Sequence, residues 1–405
     1  MPMLEGTHSD DILPIHPSPL SFHRVGRMLL EFLFQRTGMY LFFSRLVSTG
    51  AATILSFVLA SVLFPPYIRF LRRLHFSSEL NGEAQQHQPV MPAGILFLFI
   101  ITPVVLLTAR MNGYVISALI IYVFFSVIGA VDDIAKVANK RRLAKGQITK
   151  EEYQYKADGI SASLRLTLYI LISFGVAFIA YKYIPNINGH ITIPFVSTQR
   201  ALPYMPFWLF IPFMALTIAI MANGVNFTDG FDTLAAVPLI TCAVFVGVVS
   251  YISQNAVWSS YLLIPHIPGV EELVPFVGAV IGTLLAFLWF NSPPSSIIMG
   301  DSGSVGLGGL VGIMFIFLKA GFYLPIVGFI FMAEFVSDIL QIGSFKLTKK
   351  RIFRCAPIHH HFQFGMRSKA RYPSEFQIVS KITWRFHIIS IILLVAGLIL
   401  FLKVR

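Results

Sequence analysis

Long apolar stretches recur along the chain and are separated by shorter polar segments. A helix needs about 20 mainly apolar residues to cross about 30 Å of hydrocarbon. The pattern predicts about ten transmembrane helices, with approximate ranges 41–64, 92–109, 113–131, 164–182, 205–222, 233–251, 273–290, 304–319, 321–343 and 384–403. The boundary between the eighth and ninth is the least distinct, because only Ala320 and Gly321 indicate a break. We therefore expect an all-α, polytopic transmembrane helix bundle.

The composition supports a membrane protein. Of the 405 residues, 56% are hydrophobic and only 12% are charged, about half the charged fraction of a soluble domain. We expect a single transmembrane catalytic domain over residues 39–405. It follows an N-terminal extension, residues 1–38, in which Val25 to Gln35 have the composition of an amphipathic helix at the membrane surface. Cys242 and Cys355 lie far apart and predict neither a disulfide framework nor a zinc site.

The formal net charge is +12, and its distribution predicts the orientation. Most lysines and arginines fall in the loops after the first, third and ninth predicted spans. Cytoplasmic loops of membrane proteins carry such an excess, so we place the odd-numbered loops in the cytoplasm and both termini in the periplasm. Anionic lipids or substrates account for the positive charge, and nucleic acid is not required.

This orientation brings several polar groups to one side of the membrane. Asp132-Asp133, Asp229 with Asp232, Asp301 and the triplet His359 to His361 all fall in predicted cytoplasmic loops. We interpret their shared location as a cytoplasmic-face active site. Helix N-termini bind anions, and a diphosphate is the expected anion. Grouped carboxylates beside a diphosphate indicate Mg²⁺, which prefers oxygen ligands and shares them with substrate phosphates.

Each group also has a simpler structural interpretation. Asp132 and Asp133 fit a solvated helix end, although two carboxylates are disfavoured at a helix C-terminus. Asp229 and Asp301 fit helix N-caps. The three histidines fit an exposed loop, since adjacent histidines without a spaced partner are weak evidence for a metal site.

Taken together, four motifs resemble those of the polyprenyl-phosphate N-acetylhexosamine-1-phosphate transferases. The histidine triplet favours the muramoyl-pentapeptide branch of that family over relatives that transfer N-acetylglucosamine phosphate. The resemblance covers nearly all of residues 41–405. The motifs are Val-Asp132-Asp133-Ile-Ala-Lys136, Asn223-x-x-Asn226-x-Thr-Asp229-Gly-x-Asp232, Phe-Asn291 through Met-Gly300-Asp301-x-Gly-Ser304, and Ala-Pro-Ile-His359-His360-His361-Phe362.

The resemblance implies a reaction between UDP-N-acetylmuramoyl-pentapeptide and undecaprenyl phosphate that yields UMP and lipid I. It also implies Mg²⁺, a homodimer in contact with membrane lipid, and a place in the bacterial inner (cytoplasmic) membrane. By the same resemblance, Asp132 is the base or orienting group for the lipid phosphate, with Asp133 beside it. Asp301 is the leading magnesium ligand, and Asp229 lies close to the metal and the diphosphate.

The remaining implied residues contact substrate. The three histidines, His359, His360 and His361, belong to the catalytic set, and the substrate-binding set comprises Lys136, Lys156, Asn223, Asn226, Gly230, Asp232 and Gly300. Some positions depart from the family pattern. The first cytoplasmic loop reads Gln88-Pro-Val-Met-Pro-Ala-Gly94, Ile298 replaces an aromatic residue, and Gln363 replaces an acid.

Two alternative functions remain open from the sequence. The first is a sister enzyme that uses UDP-N-acetylglucosamine. The second is a proton-coupled transporter that depends on Glu334 and Asp338, which lie four residues apart inside the ninth predicted span. Acidic groups inside a membrane are functional candidates in general, although contacts within the bundle explain these two equally well.

Overall fold

The computed structural model describes residues 32, 35–39, 44–74, 76, 88–144, 147, 149, 159, 161–196, 202–367 and 374–402. Most of the predicted N-terminal extension, including all but two residues of its amphipathic segment, lies outside these residues. Lys156 lies outside them as well.

The described chain is helical, and its only extended pairings are the isolated bridges Val90–Ile297 and His190–Tyr204. The predicted all-α class is therefore confirmed. In chain order the α-helices are α1 (Arg45–Arg73), α2 (Gly94–Thr108), α3 (Gly113–Ala144), α4 (Ala162–Tyr183), α5 (Phe207–Thr228), α6 (Ala236–Ser253), α7 (Ala256–Leu262), α8 (Leu273–Asn291), α9 (Asp301–Phe317), α10 (Leu324–Val327), α11 (Phe329–Thr348), α12 (Ile358–Arg367) and α13 (Glu375–Leu402).

Seven helices within the described residues are long and apolar enough to cross a membrane: α1, α3, α4, α5, α6, α8 and α13. The bent pair formed by α10 and α11 gives an eighth if it counts as one span. Helices α2 and α9 are apolar but have only 15 and 17 residues. The chain is thus a multi-pass membrane protein. Each of the ten predicted ranges contains a helix, while the count of ten spans stays a prediction.

Helix α9 forms the centre of the bundle. All its residues except Asp301 are buried, as expected for a helix that is apolar on every side. Its glycines allow close approach of neighbouring helices. A Cβ atom at Gly308 would lie 2.6 Å from the carbonyl oxygen of Met221, and one at Gly312 would lie 2.9 Å from Cα of Ile218. Helix α5 therefore packs backbone to backbone against α9.

The chain breaks twice after α9. Lys319 adopts a φ of 58°, close to the break that Ala320 and Gly321 predicted. A second break at Gly328 was not predicted: the segments Gly321–Val327 and Phe329–Thr348 meet at an angle of 91°. Gly328 has φ −93° and ψ 23°, outside regular helix geometry, and glycine has low helix propensity. The predicted span 321–343 is therefore not one straight helix, and it stays a prediction that the bent pair forms a single span.

Three helices also extend beyond their predicted ranges on the side of the charged loops. Helix α1 continues to Arg73, α3 continues to Ala144, and α13 begins at Glu375. Asp132 and Asp133 consequently lie within α3, more than two turns before its end. The interpretation of these carboxylates as a solvated helix end is wrong, since both are fully buried.

The close packing of α9 leads to a stability prediction. We expect Gly308→Ala to lower the free energy of unfolding by about 1–3 kcal/mol, because the new methyl group would overpack the contact with the α5 backbone. Thermal unfolding in detergent provides the measurement. Gly175→Ala in α4 is the matched control, because a Cβ at Gly175 meets nothing within 4 Å. Equal melting temperatures for the two variants would contradict the proposed contact.

Candidate active site

Helix α3 carries the first part of the site. Asp132 and Lys136 lie one turn apart on the same face, and Lys136 Nζ is 2.8 Å from Asp132 Oδ2. Asp133 points to a different partner, the first turn of α9. Its carboxylate accepts the backbone N–H of Asp301 at 3.0 Å and that of Ser302 at 2.9 Å. Asp133 thus satisfies two N–H groups that a helix N-terminus leaves without an intrahelical acceptor.

Asp301 begins α9 and joins the charges of α3. Its Oδ2 atom lies 3.0 Å from Lys136 Nζ and 2.7 Å from Arg165 Nη1. Arg165 also contacts Asp132 Oδ2, at 2.5 Å. Two carboxylates and two cations from three helices therefore form one network. Such charge-assisted contacts are strong when the groups are shielded from water.

Arg165 was missed by the sequence analysis. It lies in the first turn of α4, at the edge of a predicted span, where an arginine usually lies at the membrane interface. Nothing in its local sequence distinguishes it from such an interfacial residue. Lys156, for which the resemblance implied a substrate contact, lies outside the described residues. Among the described residues, Arg165 is the second cation of the network, beside Lys136.

Gly300 precedes Asp301 and has a φ of 75°, which favours glycine. A Cβ there would lie 2.6 Å from Pro92 Cβ and 2.9 Å from Asp133 Oδ2. The close approach of this backbone to Asp133 explains the glycine without a substrate. Its predicted contact with substrate remains untested.

The unusual loop between α1 and α2 packs against the segment that leads to Asp301. Val90 accepts the N–H of Ile298 at 2.8 Å, and Ala93 donates to Ile298 at 2.9 Å. Tyr67 of α1 donates to the Pro92 carbonyl at 2.7 Å. The two places that depart from the family pattern, Gln88–Gly94 and Ile298, are therefore joined by main-chain hydrogen bonds. Such bonds depend little on which side chains are present.

Asp229 follows the last residue of α5, and α6 begins only at Ala236. The interpretation of Asp229 as the N-cap of the following helix is therefore wrong. Its carboxylate accepts a hydrogen bond from the backbone of Gly300. Burial and the negative charge of Asp301 raise the pKa of Asp229 well above its usual range. The carboxyl groups of Asp229, Asp133 and Asp301 are thus close enough to affect one another's ionisation.

The other polar residues of this segment fix neighbouring elements. Asn226 donates to Ser304 Oγ at 3.0 Å and joins α5 to α9. Asn223 donates to its own helix, at the carbonyl of Ala219. Asp232 is hydrogen-bonded to the backbone and side chain of Ser295, and its burial raises its pKa.

The three histidines have three different environments. His359 is buried and packs its ring against Phe231, with 4.7 Å between the ring centroids. His360 Nδ1 lies 2.7 Å from Gln363 Oε1, and burial lowers the pKa of His360. His361 Nδ1 accepts the N–H of Arg354 at 3.1 Å. The interpretation of the triplet as exposed residues is wrong for His359, which is only 1% exposed.

Comparisons with known proteins agree with this arrangement. The family described as glycosyl transferase family 4 matches residues 115–319, which include Asp132, Asp133, Asp229 and Asp301. A phospho-N-acetylmuramoyl-pentapeptide-transferase of Nitratiruptor sp. is 36% identical over 83% of this chain and 92% of its own length. Proteins of the same description from Desulfotalea psychrophila and Campylobacter lari are 36% and 35% identical, over 85% and 80% of this chain and over 92% and 89% of their own lengths.

The chain belongs to the phospho-N-acetylmuramoyl-pentapeptide transferase family. It is therefore an enzyme of the phospho-sugar transferase type, embedded in a membrane. The structure brings together four of the predicted carboxylates, Asp132, Asp133, Asp229 and Asp301. These residues come from different segments and share hydrogen bonds or charge interactions.

The oxygen donors of this transferase site fit a hard divalent cation. Asp229 and Asp301 interact through their charges, and Mg²⁺ typically binds one or two carboxylates together with substrate phosphates. No group of three acidic, histidine or cysteine side chains among the described residues is arranged to hold a metal alone. The donor set thus suits an ion shared with a phosphorylated substrate.

The charge network gives a mutational prediction. We expect Arg165→Gln to lower the transferase rate at least 100-fold, because Asp132 and Asp301 would lose one of their two shared cations. Removing one partner of a buried ion pair costs about 3–5 kcal/mol; Arg165 is partly exposed, which reduces the expected destabilisation. Arg165→Lys keeps the charge and should retain more activity.

Initial rates and thermal unfolding of purified protein would measure both effects. Lys182→Gln is the matched control, because Lys182 is an exposed cation at the opposite end of the same helix. An Arg165→Gln variant that matches this control in both rate and melting temperature would refute the role of the network.

Proposed function

We propose that the chain transfers phospho-N-acetylmuramoyl-pentapeptide from UDP to undecaprenyl phosphate, in peptidoglycan synthesis. An oxygen of the lipid phosphate forms a bond to the sugar-linked phosphorus of the donor. The bond from that phosphorus to the bridging oxygen breaks, so UMP leaves and lipid I forms. The observation that carries the proposal is the network in which Lys136 and Arg165 join Asp132 to Asp301 beside Asp229.

The contacts of Asp132 support an orienting role over that of a general base. A phosphate monoester has its second pKa near 6 and is largely dianionic at neutral pH, so it needs no base to become a nucleophile. The carboxylate of Asp132 is buried and contacts two cations. It holds Lys136 and Arg165 where they can meet the incoming phosphate.

Magnesium is part of the proposal. Four carboxylates of the site, Asp132, Asp133, Asp229 and Asp301, face two cations, Lys136 and Arg165. Both reactants add further negative charge. A bound Mg²⁺ would neutralise diphosphate charge and stabilise the leaving phosphate. Asp229 and Asp301 would hold it, in agreement with the raised pKa of Asp229.

We also propose ten spans in the bacterial inner membrane, with both termini in the periplasm and this site at the cytoplasmic face. The soluble donor would then enter from the cytosol, while the lipid acceptor stays in the bilayer. A homodimer is the assembly that the resemblance implies. The transporter alternative loses its main support, because Glu334 is engaged with His359 within the bundle.

The reaction can be tested directly. We expect purified protein with UDP-N-acetylmuramoyl-pentapeptide and undecaprenyl phosphate to release UMP and to form a lipid-linked sugar in equal amounts. We expect Asp301→Asn to lower the rate at least 1,000-fold while the protein still folds. Asp338→Asn, which changes another acid of the bundle, is the comparison variant. Preference for UDP-N-acetylglucosamine would assign the chain to the sister enzymes, and product formation at the normal rate by Asp301→Asn would refute the proposed centre.

A separate experiment tests the metal. We expect activity to disappear with a chelator and to return with added Mg²⁺, because carboxylate and phosphate oxygens together complete its coordination. Asp229→Asn should raise the Mg²⁺ concentration needed for half-maximal rate by about tenfold or more. Full activity in the presence of the chelator would contradict a magnesium requirement.

A further inference from the structure

A buried acid lies behind the candidate site and has no part in the proposed transfer. Glu334, in α11, is fully buried within the bundle. Its Oε1 atom has no hydrogen-bond partner, and its Oε2 atom accepts the backbone N–H of His359 at 3.4 Å. Desolvating a carboxylate is unfavourable unless other groups compensate. A carboxylate at this position is therefore expected to interact with another group of the bundle.

That group is the imidazole of His359. Nδ1 of His359 lies 3.2 Å from Glu334 Oε2, and the ring is 1% exposed. This contact is at ion-pair distance and is not a hydrogen bond, because Nδ1 has no hydrogen-bond partner, while the same Glu334 oxygen accepts the backbone N–H of His359. Glu334 thus contacts both the backbone and the ring of His359, which limits the orientations open to Nε2.

Nε2 points to the loop that carries Asp229. It has no hydrogen-bond partner, and a Cβ at Gly230 would lie only 2.5 Å from it. The ring also packs edge to face against Phe231. A buried nitrogen therefore lies directly against the backbone next to Asp229.

We propose that Glu334 is a positioning residue of the transferase site. Its carboxylate holds the ring of His359 in one orientation, so that Nε2 faces Gly230 beside Asp229. Helix α11 thereby supports the substrate-binding loop through α12. This inference rests on the proposed function, since it assigns a role within that same site.

A comparison of two substitutions separates positioning from charge. Glu334→Leu fills the space but removes the acceptor, and we expect it to lower kcat about 10- to 100-fold, as loss of an outer hydrogen-bond partner commonly does. Glu334→Gln keeps an acceptor oxygen, and we expect its kcat to stay within about threefold of the parent. Ser337→Ala is the matched control, because Ser337 is buried on the next turn and donates to the Glu334 carbonyl.

A double substitution tests the path through His359. We expect Glu334→Leu combined with His359→Gln to be no slower than His359→Gln alone, within about threefold, while the two losses would multiply if the residues acted independently. Melting temperatures identify any variant that fails to fold. A normal kcat in Glu334→Leu, an equal loss in Glu334→Gln, or multiplied losses in the double variant would overturn the proposal. Absence of transfer by the parent protein would instead refute the proposed function.

Discussion

The junction between α3 and the first turn of α9 is the interaction on which the site depends. Asp133 accepts two backbone N–H groups of α9, and Asp132 shares Lys136 and Arg165 with Asp301. Each buried charge would be costly alone, whereas a fully connected set gives the helices one favoured arrangement. A small shift of α9 would disturb every one of these contacts, so the packing of the bundle and the geometry of the carboxylates are linked.

The position of this junction explains how a bundle of membrane-spanning helices can accommodate a cluster of charged residues. A carboxylate at the bilayer centre costs about 2.5–3.5 kcal/mol on insertion scales, and placing it at the end of an apolar helix reduces that cost. Helix α9 is short because Gly300 and Lys319 adopt positive φ at its two ends. Its glycines let α5 approach, which brings Asp229 to the N-terminus of α9. Close helix packing thus gathers acids from segments distant in sequence.

The sequence predicted the parts of this arrangement that depend on composition and periodicity. Apolar runs located the long helices of the described residues, and four of the acids that the predicted orientation assigned to one side of the membrane lie together. Arg165 escaped notice because an arginine at a span end usually has no specific partner. The bend at Gly328 and the extension of α3 beyond residue 131 depend on tertiary contacts. The different environments of His359, His360 and His361 likewise follow from α12 packing against α11 and α13, which no local pattern encodes.

The balance of charge gives the site a further property. Under the proposed function, two polyanionic reactants meet at a place where carboxylates already outnumber cations. Binding is then favourable only if positive charge arrives with the substrates, so the affinities for metal and for donor must rise together by thermodynamic linkage. Lys136 and Arg165 cannot supply that charge alone, because they already neutralise Asp132 and Asp301. Under the same proposal, the acidic excess would make the transfer conditional on a divalent cation that Asp229 helps to hold.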